Sequence, residues 1–138
     1  MHQTALRAPI AVSLGAIGGA LSRYYLGHWV TQTTGVGNFP VGTLTANVLG
    51  CFLIGVLTAG VVKREGMSAE LRLLVATGFL GSLTTFSSYS LDTVNLFAAE
   101  NWRQGWGYGL GSPVLGLLSF YSGTALATNL LKPRAERE

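Results

Sequence analysis

Apolar positions along this chain run together in long blocks instead of alternating as in a half-buried strand. No charged residue occurs from 24 to 62, from 73 to 91 or from 104 to 131, and a helix crosses a bilayer with about 20 largely apolar residues. The first block is too long for one span, and its segment TQTTGVGNFP, residues 31 to 40, carries the Gly, Asn and Pro of a turn. The pattern predicts four membrane helices, at 10–28, 41–62, 71–97 and 105–131, in a single membrane domain over 1–138. Residues 10–28 follow Arg7, as a secretory signal would, but they have the length of a span and further spans follow.

Two of these helices carry regular stripes of small residues. Ala11, Gly15, Gly19 and Arg23 recur every four positions on the first helix and share a face. Gly105, Gly109, Ser112, Gly116, Ser119 and Gly123 step by four and three along the fourth, the spacing of a straight packing seam. Small residues let backbones approach where lipid supplies no hydrophobic drive, so both faces predict close helix contacts. Four short spans offer little interior for two such seams and a polar core, which predicts a homo-oligomer, most simply a dimer. Arg23, near the end of its span, has two roles open to it: reaching the headgroups, or raising the potential at an anion entrance.

Polar positions inside the spans are few and concentrated. Thr43, Asn47 and Gly50 lie on one side of the second helix; Asn47 reads either as interhelical glue or as a pore contact. In GFLGSLTTFSSYS, residues 78 to 90, Gly, Ser and Thr outnumber all other residues. Helix propensity there is poor enough to predict a break, the alternative being an unbroken helix whose hydroxyls face a neighbour. Irregular backbone at membrane depth is tolerated only inside protein or along a wet cavity, and its freed carbonyls suit a small hard cation. Phe86 and Tyr89 share a face. They read either as core or as rings whose electropositive edges line an anion path.

Composition agrees with a membrane protein: 49% hydrophobic and 11% charged residues, 19 glycines and a mean hydropathy of +0.41. The net charge of +3 resides in loops and tail, which suits a membrane surface and not nucleic acid. Arg7, Lys63, Arg64, Arg72, Lys132, Arg134 and Arg137 fall on the side of the termini. Arg103 and, by its depth, Arg23 fall opposite, so the Lys and Arg count favours cytoplasmic termini. Trp29, Trp102 and Trp106 flank span ends as interfacial aromatics do. Cys51 is the single cysteine, which excludes an intrachain disulfide. His2 and His28 are far apart in sequence, and no nucleophile, base and orienter stand out as a set, so an enzyme is not expected.

The segments GGALSRY (18–24), GTLTANVLGCFLIG (42–55), GFLGSLTTFSSYS (78–90) and YGLGS (108–112) resemble, in order and spacing, the CrcB/Fluc family of fluoride channels. The resemblance covers all four helices. It implies an all-α subunit with a broken third helix, paired as an antiparallel, dual-topology homodimer with two pores. It also implies a multi-pass protein of the bacterial inner (plasma) membrane that lets fluoride leave the cytoplasm and lowers its toxicity. By that resemblance Asn47, Phe86 and Tyr89 line the fluoride path, with Thr43, Tyr108 and Ser112 lining or closing it and Arg23 near the vestibule. Gly81 and Thr84 match break positions whose carbonyls hold a structural sodium ion at the dimer interface. The chain departs from the family pattern in Tyr89, where Phe is usual, in Ser82, where a second Gly is usual, and in a Lys and Arg asymmetry larger than dual topology needs. Two other readings compete: a small proton-coupled multidrug exporter, for which Asp92 is the one candidate carboxylate of the third helix, and a non-transporting membrane assembly subunit.

Overall fold

The computed structural model describes residues 2–35, 37–63 and 67–130, and among these the regular structure is entirely helical. Helix α1 (His2–Thr34) leads through a short turn into α2 (Val41–Lys63). The third span is built in pieces: α3 (Ala69–Arg72), a π-wound stretch Leu73–Leu80, α4 (Gly81–Leu83) and, beyond a break, α5 (Phe86–Ala98). Helix α6 (Trp102–Leu130) completes the chain. The described helices of α2 and α6 are each long and apolar enough to cross a membrane. At 1.5 Å per residue α1 is about 50 Å long, well beyond the 19 residues expected at 10–28, so its ends project past the hydrocarbon. Of the charges used to orient the chain, Arg64, Lys132, Arg134, Arg137 and the side chain of Lys63 lie outside the described residues.

Glycine seams decide how these helices meet. A Cβ on Gly15 would stand 2.1 Å from the Leu74 carbonyl oxygen, and one on Gly19 would stand 2.1 Å from that of Phe79. The stripe on α1 is therefore a backbone-to-backbone contact with the π-wound stretch. Gly78 returns the contact, since its Cβ would lie 2.5 Å from the Val12 carbonyl oxygen. The sequence carries no signal for the π winding: it is a hydrogen-bond register, and LLVATGFL is compatible with an ordinary α-turn.

The seam on α6 finds its partners within the same chain. Gly116 faces the Cys51 sulfur, Gly123 meets the main chain at Phe52 and Val56, and Gly105 accommodates the Phe97 ring. Gly55 of α2 is equally tight against the Phe120 carbonyl oxygen. Ser119 Oγ donates to the Val48 carbonyl at 2.8 Å and Thr124 Oγ1 to that of Gly55 at 3.3 Å. This seam is consumed by α2 and α5, so it does not itself call for a second subunit. The outward faces carry apolar side chains: Leu14, Ile17 and Leu21 of α1, and Leu110, Val114 and Leu118 of α6, are all exposed.

The turn from α5 to α6 closes with paired caps: the Glu100 N–H donates to the Phe97 carbonyl and the Asn101 N–H to that of Leu96. This pair of hydrogen bonds requires a left-handed residue at the first position beyond the cap. Glu100 occupies it with φ 58°, a conformation that costs a side-chain-bearing residue about 1–2 kcal/mol. Glu100→Gly is therefore expected to raise thermal stability in detergent, by about 1 kcal/mol; an unchanged or lowered melting point would contradict this account of the turn.

Candidate functional site

The break in the third span falls at Thr84 and Thr85, whose backbones are extended (φ −83°, ψ 152° and φ −150°, ψ 123°). Gly81, one of the two positions expected at the break, remains helical with φ −64° and ψ −26°. Leaving the helix frees main-chain groups that lipid cannot satisfy, each costing several kcal/mol if unpaired. Asn47 answers both groups of Thr85. Its Nδ2 donates to the Thr85 carbonyl at 2.9 Å, and its Oδ1 accepts from the Thr85 N–H at 2.7 Å. A side-chain amide offers one acceptor and two N–H donors, so this clamp leaves one Nδ2 hydrogen uncommitted to Thr85. Glue and pore contact, the two readings of Asn47, are thus compatible in one side chain.

Thr85 is the residue that sequence reading passed over. It caps α5, its Oγ1 accepting from the Ser88 N–H at 3.1 Å and donating to Ser88 Oγ, with Ser87 Oγ 3.2 Å away. A Thr directly before a new helical run is a cap signal, but here it was submerged among neighbouring hydroxyls. Thr84 turns its own hydroxyl back to the Leu80 carbonyl at 3.0 Å and sets its methyl against Gly50, where a Cβ would stand 2.2 Å away. Gly50 is thus the notch in α2 that receives the break.

The clamp also sets the electrostatics. Because the Thr85 N–H turns to Asn47, the Gly81 carbonyl loses its ordinary helical donor, and the Thr84 carbonyl lies outside any helix. Two main-chain oxygens at the C-terminal, electronegative end of a helix are the donor set a hard cation takes. They fit sodium in kind, and Gly81 is exposed on this face. Among the described residues no group of three His, Cys, Asp or Glu stands ready for a metal. On the other side of the break, α5 presents its electropositive N-terminus beside Phe86.

Phe86 is 79% exposed, so it is no part of this chain's core. It borders an open groove of about 520 Å3, shared with Asn47, Gly81, Thr84, Tyr89 and Ser112. From there four rings run in file across the subunit. Phe86 lies 5.5 Å from Tyr89, Tyr89 lies 5.6 Å from Tyr108, and Tyr108 meets Phe39 edge-on at 5.6 Å. Tyr108, 2% exposed, is the buried member. The file ends at a second cavity of about 460 Å3 lined by Thr43, Phe39, His28 and Asp92.

Asp92 enters here as a further candidate. The Tyr108 hydroxyl lies 3.4 Å from its Oδ2, so the carboxylate of α5 stands where the file meets the second cavity. Its place at the end of an uncharged run gave its position in sequence but not its partner, which comes from another helix. Arg23 stands apart: half-buried on α1, it lines neither the groove nor the second cavity. Asn47, Thr84, Phe86, Tyr89, Ser112 and Gly81 converge on the groove, and Thr43 belongs to the other end with Tyr108 between.

A lipid-compatible helical subunit with a clamped break, a ring-lined file and polar groups at both ends has the form of a small ion-conducting membrane protein. Comparison with known proteins gives the family. Residues 10–124 match the family described as CrcB-like protein, Camphor Resistance (CrcB), and the chain belongs to that family. It is 48% identical over 127 residues to the fluoride-specific ion channel FluC of Trichormus variabilis, covering 91% of this chain and 92% of the relative. It is 46% identical over 127 residues to the FluC of a Synechococcus species, covering 92% and 97%. A third relative, the FluC of Rhizobium leguminosarum bv. trifolii, is 43% identical over 117 residues, covering 85% and 93%.

The clamp makes a direct prediction. Asn47→Asp keeps the acceptor for the Thr85 N–H but sets an oxygen against the Thr85 carbonyl, and should destabilise the folded subunit by about 1–3 kcal/mol. Asn47→Leu leaves both groups unpaired and should cost more. Denaturant melts in detergent, with hydrogen exchange at the Thr85 amide, would measure both; an unprotected Thr85 amide in the parent would dispose of the clamp.

Proposed function

We propose that the protein is a fluoride-selective ion channel of the bacterial inner membrane that lets fluoride leave the cytoplasm and lowers its toxicity. The observation that carries this reading is the clamped break with its file of rings, in a chain whose relatives are named fluoride-specific ion channels. It is a conduction pathway, not an enzyme.

Fluoride is small and holds its hydration shell tightly, so a selective path must replace water with donors along its whole length. The uncommitted Asn47 hydrogen, the α5 N-terminus and the Ser112 hydroxyl supply donors near the groove. The edges of Phe86 and Tyr89 supply the electropositive surface that rings direct at anions. Tyr108, with Thr43 and Asp92 beyond it, closes the file at the other end. The family resemblance implies that Arg23, which lines neither cavity, acts at a distance by raising the positive potential at the vestibule.

Homodimerisation follows from the same break. The freed carbonyls of Gly81 and Thr84, with Gly81 exposed, are incompatible with lipid at membrane depth, so a second copy covers this face. A partner related by a twofold axis doubles the Gly81 and Thr84 carbonyls, giving a structural sodium ion an all-oxygen site between subunits. That ion would staple the interface and offset the negative ends of two helices. The family resemblance further implies that the two copies lie antiparallel, with one pore in each.

The test is release of fluoride from liposomes holding the purified protein, followed with a fluoride electrode beside a chloride control. Rapid fluoride release without chloride is expected. No release from a well-folded preparation would overturn the proposal and return attention to the exporter or assembly readings. Within the same assay Phe86→Ile, which keeps bulk but removes the ring edge, should slow fluoride about tenfold while the dimer elutes unchanged on sizing. Loss of the dimer would place Phe86 in the interface instead.

A further inference from the structure

Helix α6 contains a proline, Pro113, one turn beyond Gly109. Proline has no N–H and its ring crowds the carbonyl four residues earlier, so the Gly109 carbonyl lacks its helical donor. At membrane depth an unpaired carbonyl is expensive. It is not left unpaired: the Tyr89 hydroxyl donates to the Gly109 oxygen at 2.5 Å. Gly109 is suited to this approach because it presents no side chain; a Cβ there would already stand 3.1 Å from the Thr93 methyl. Thr93 in turn bonds back to the Tyr89 carbonyl at 2.8 Å, within α5.

We propose that Tyr89 is a positioning residue whose hydroxyl replaces the donor that Pro113 removes from α6, so that Tyr89 and Pro113 form one compensating pair. The hydroxyl does two things at once. It neutralises a carbonyl oxygen that would otherwise point its lone pairs beside the ring edges of Tyr89 and Tyr108, where an anion passes. It also pins the Tyr89 ring between Phe86 and Tyr108, which lie 5.5 Å and 5.6 Å away by ring centre. The departure from the usual Phe at this position is thereby tied to a proline on another helix, 24 residues further along the chain. The consequence for flux rests on the fluoride-channel reading; the hydrogen bond does not.

A double-substitution cycle separates the two. Tyr89→Phe, Pro113→Ala and the pair together are compared with the parent protein by melting in detergent and by fluoride efflux from liposomes, each preparation first checked by sizing. Tyr89→Phe orphans the Gly109 carbonyl and should lower the melting midpoint by about 4 °C and slow efflux by about fivefold to tenfold. Pro113→Ala restores a helical N–H, and since a carbonyl oxygen accepts two bonds the tyrosine keeps its place. Once Pro113→Ala is present, adding Tyr89→Phe should lower midpoint and efflux much less than it does in the parent, because the Gly109 carbonyl keeps its helical donor and only the pin on the ring is lost, a partial rescue that mere loss of packing at residue 89 would not show. Equal losses from Tyr89→Phe with and without the Pro113→Ala substitution, or no loss in either case, would overturn the pairing. If the parent protein releases no fluoride, the channel reading falls, and coupling in the melting midpoints still decides the pairing.

Discussion

The structure depends on keeping a broken helix satisfied inside a membrane. Thr85 gives up helical bonding, and lipid cannot replace it. Asn47 does so with a two-point contact to the Thr85 N–H and carbonyl at 2.7 and 2.9 Å. From that contact the local arrangement follows. The α4 carbonyls lose their donors, α5 starts afresh with its N-terminus at the break, and Phe86 and Tyr89 are placed on the first turn of the new helix. Gly50 is required so that Thr84 can lie against α2 while Asn47, less than one turn away, reaches across. An uncharged side chain that is expensive to bury is also the one that makes the irregular backbone tolerable.

Close backbone approach without side chains organises the rest. The α1 stripe lies on the π-wound stretch and the α6 seam on α2 and α5, so both small-residue faces are spent within one subunit. What stays open is the groove beside the break, where Gly81 and Phe86 face outward. A seam of glycines and a face of unsatisfied backbone make different demands. The first asks for any close helix; the second asks for protein in place of lipid. The proposed second subunit therefore rests on the groove, not on the seam.

The file from Phe86 to Phe39 joins an open groove to a cavity at the turn between α1 and α2, with buried Tyr108 between them. Its polar contacts all come from a different element: Tyr89 bonds α6, and Tyr108 bonds Asp92 of α5. Each tyrosine thus ties α5 to α6 while its ring stands in the file. The same two hydrogen bonds that join the helices also fix the positions of the Tyr89 and Tyr108 rings.

The uncharged runs were enough to define four helical regions, because the bilayer makes length and hydrophobicity nearly sufficient criteria. The glycine steps on α1 and α6 were legible as contact faces, and the hydroxyl-rich stretch as a break, since both follow from local composition. What lies on the other side of each face was not legible. Gly105 to Gly123 read as a seam seeking a partner, and only the packed chain shows that α2 and α5 supply it. The break fell at Thr84–Thr85, past helical Gly81, because its location is decided by where Asn47, 38 residues earlier, meets the backbone. Asp92 gained its meaning from Tyr108, and Tyr89 from the carbonyl that Pro113 frees, for the same reason. Local sequence determines which groups are short of a partner, and tertiary structure alone decides which distant residue answers them.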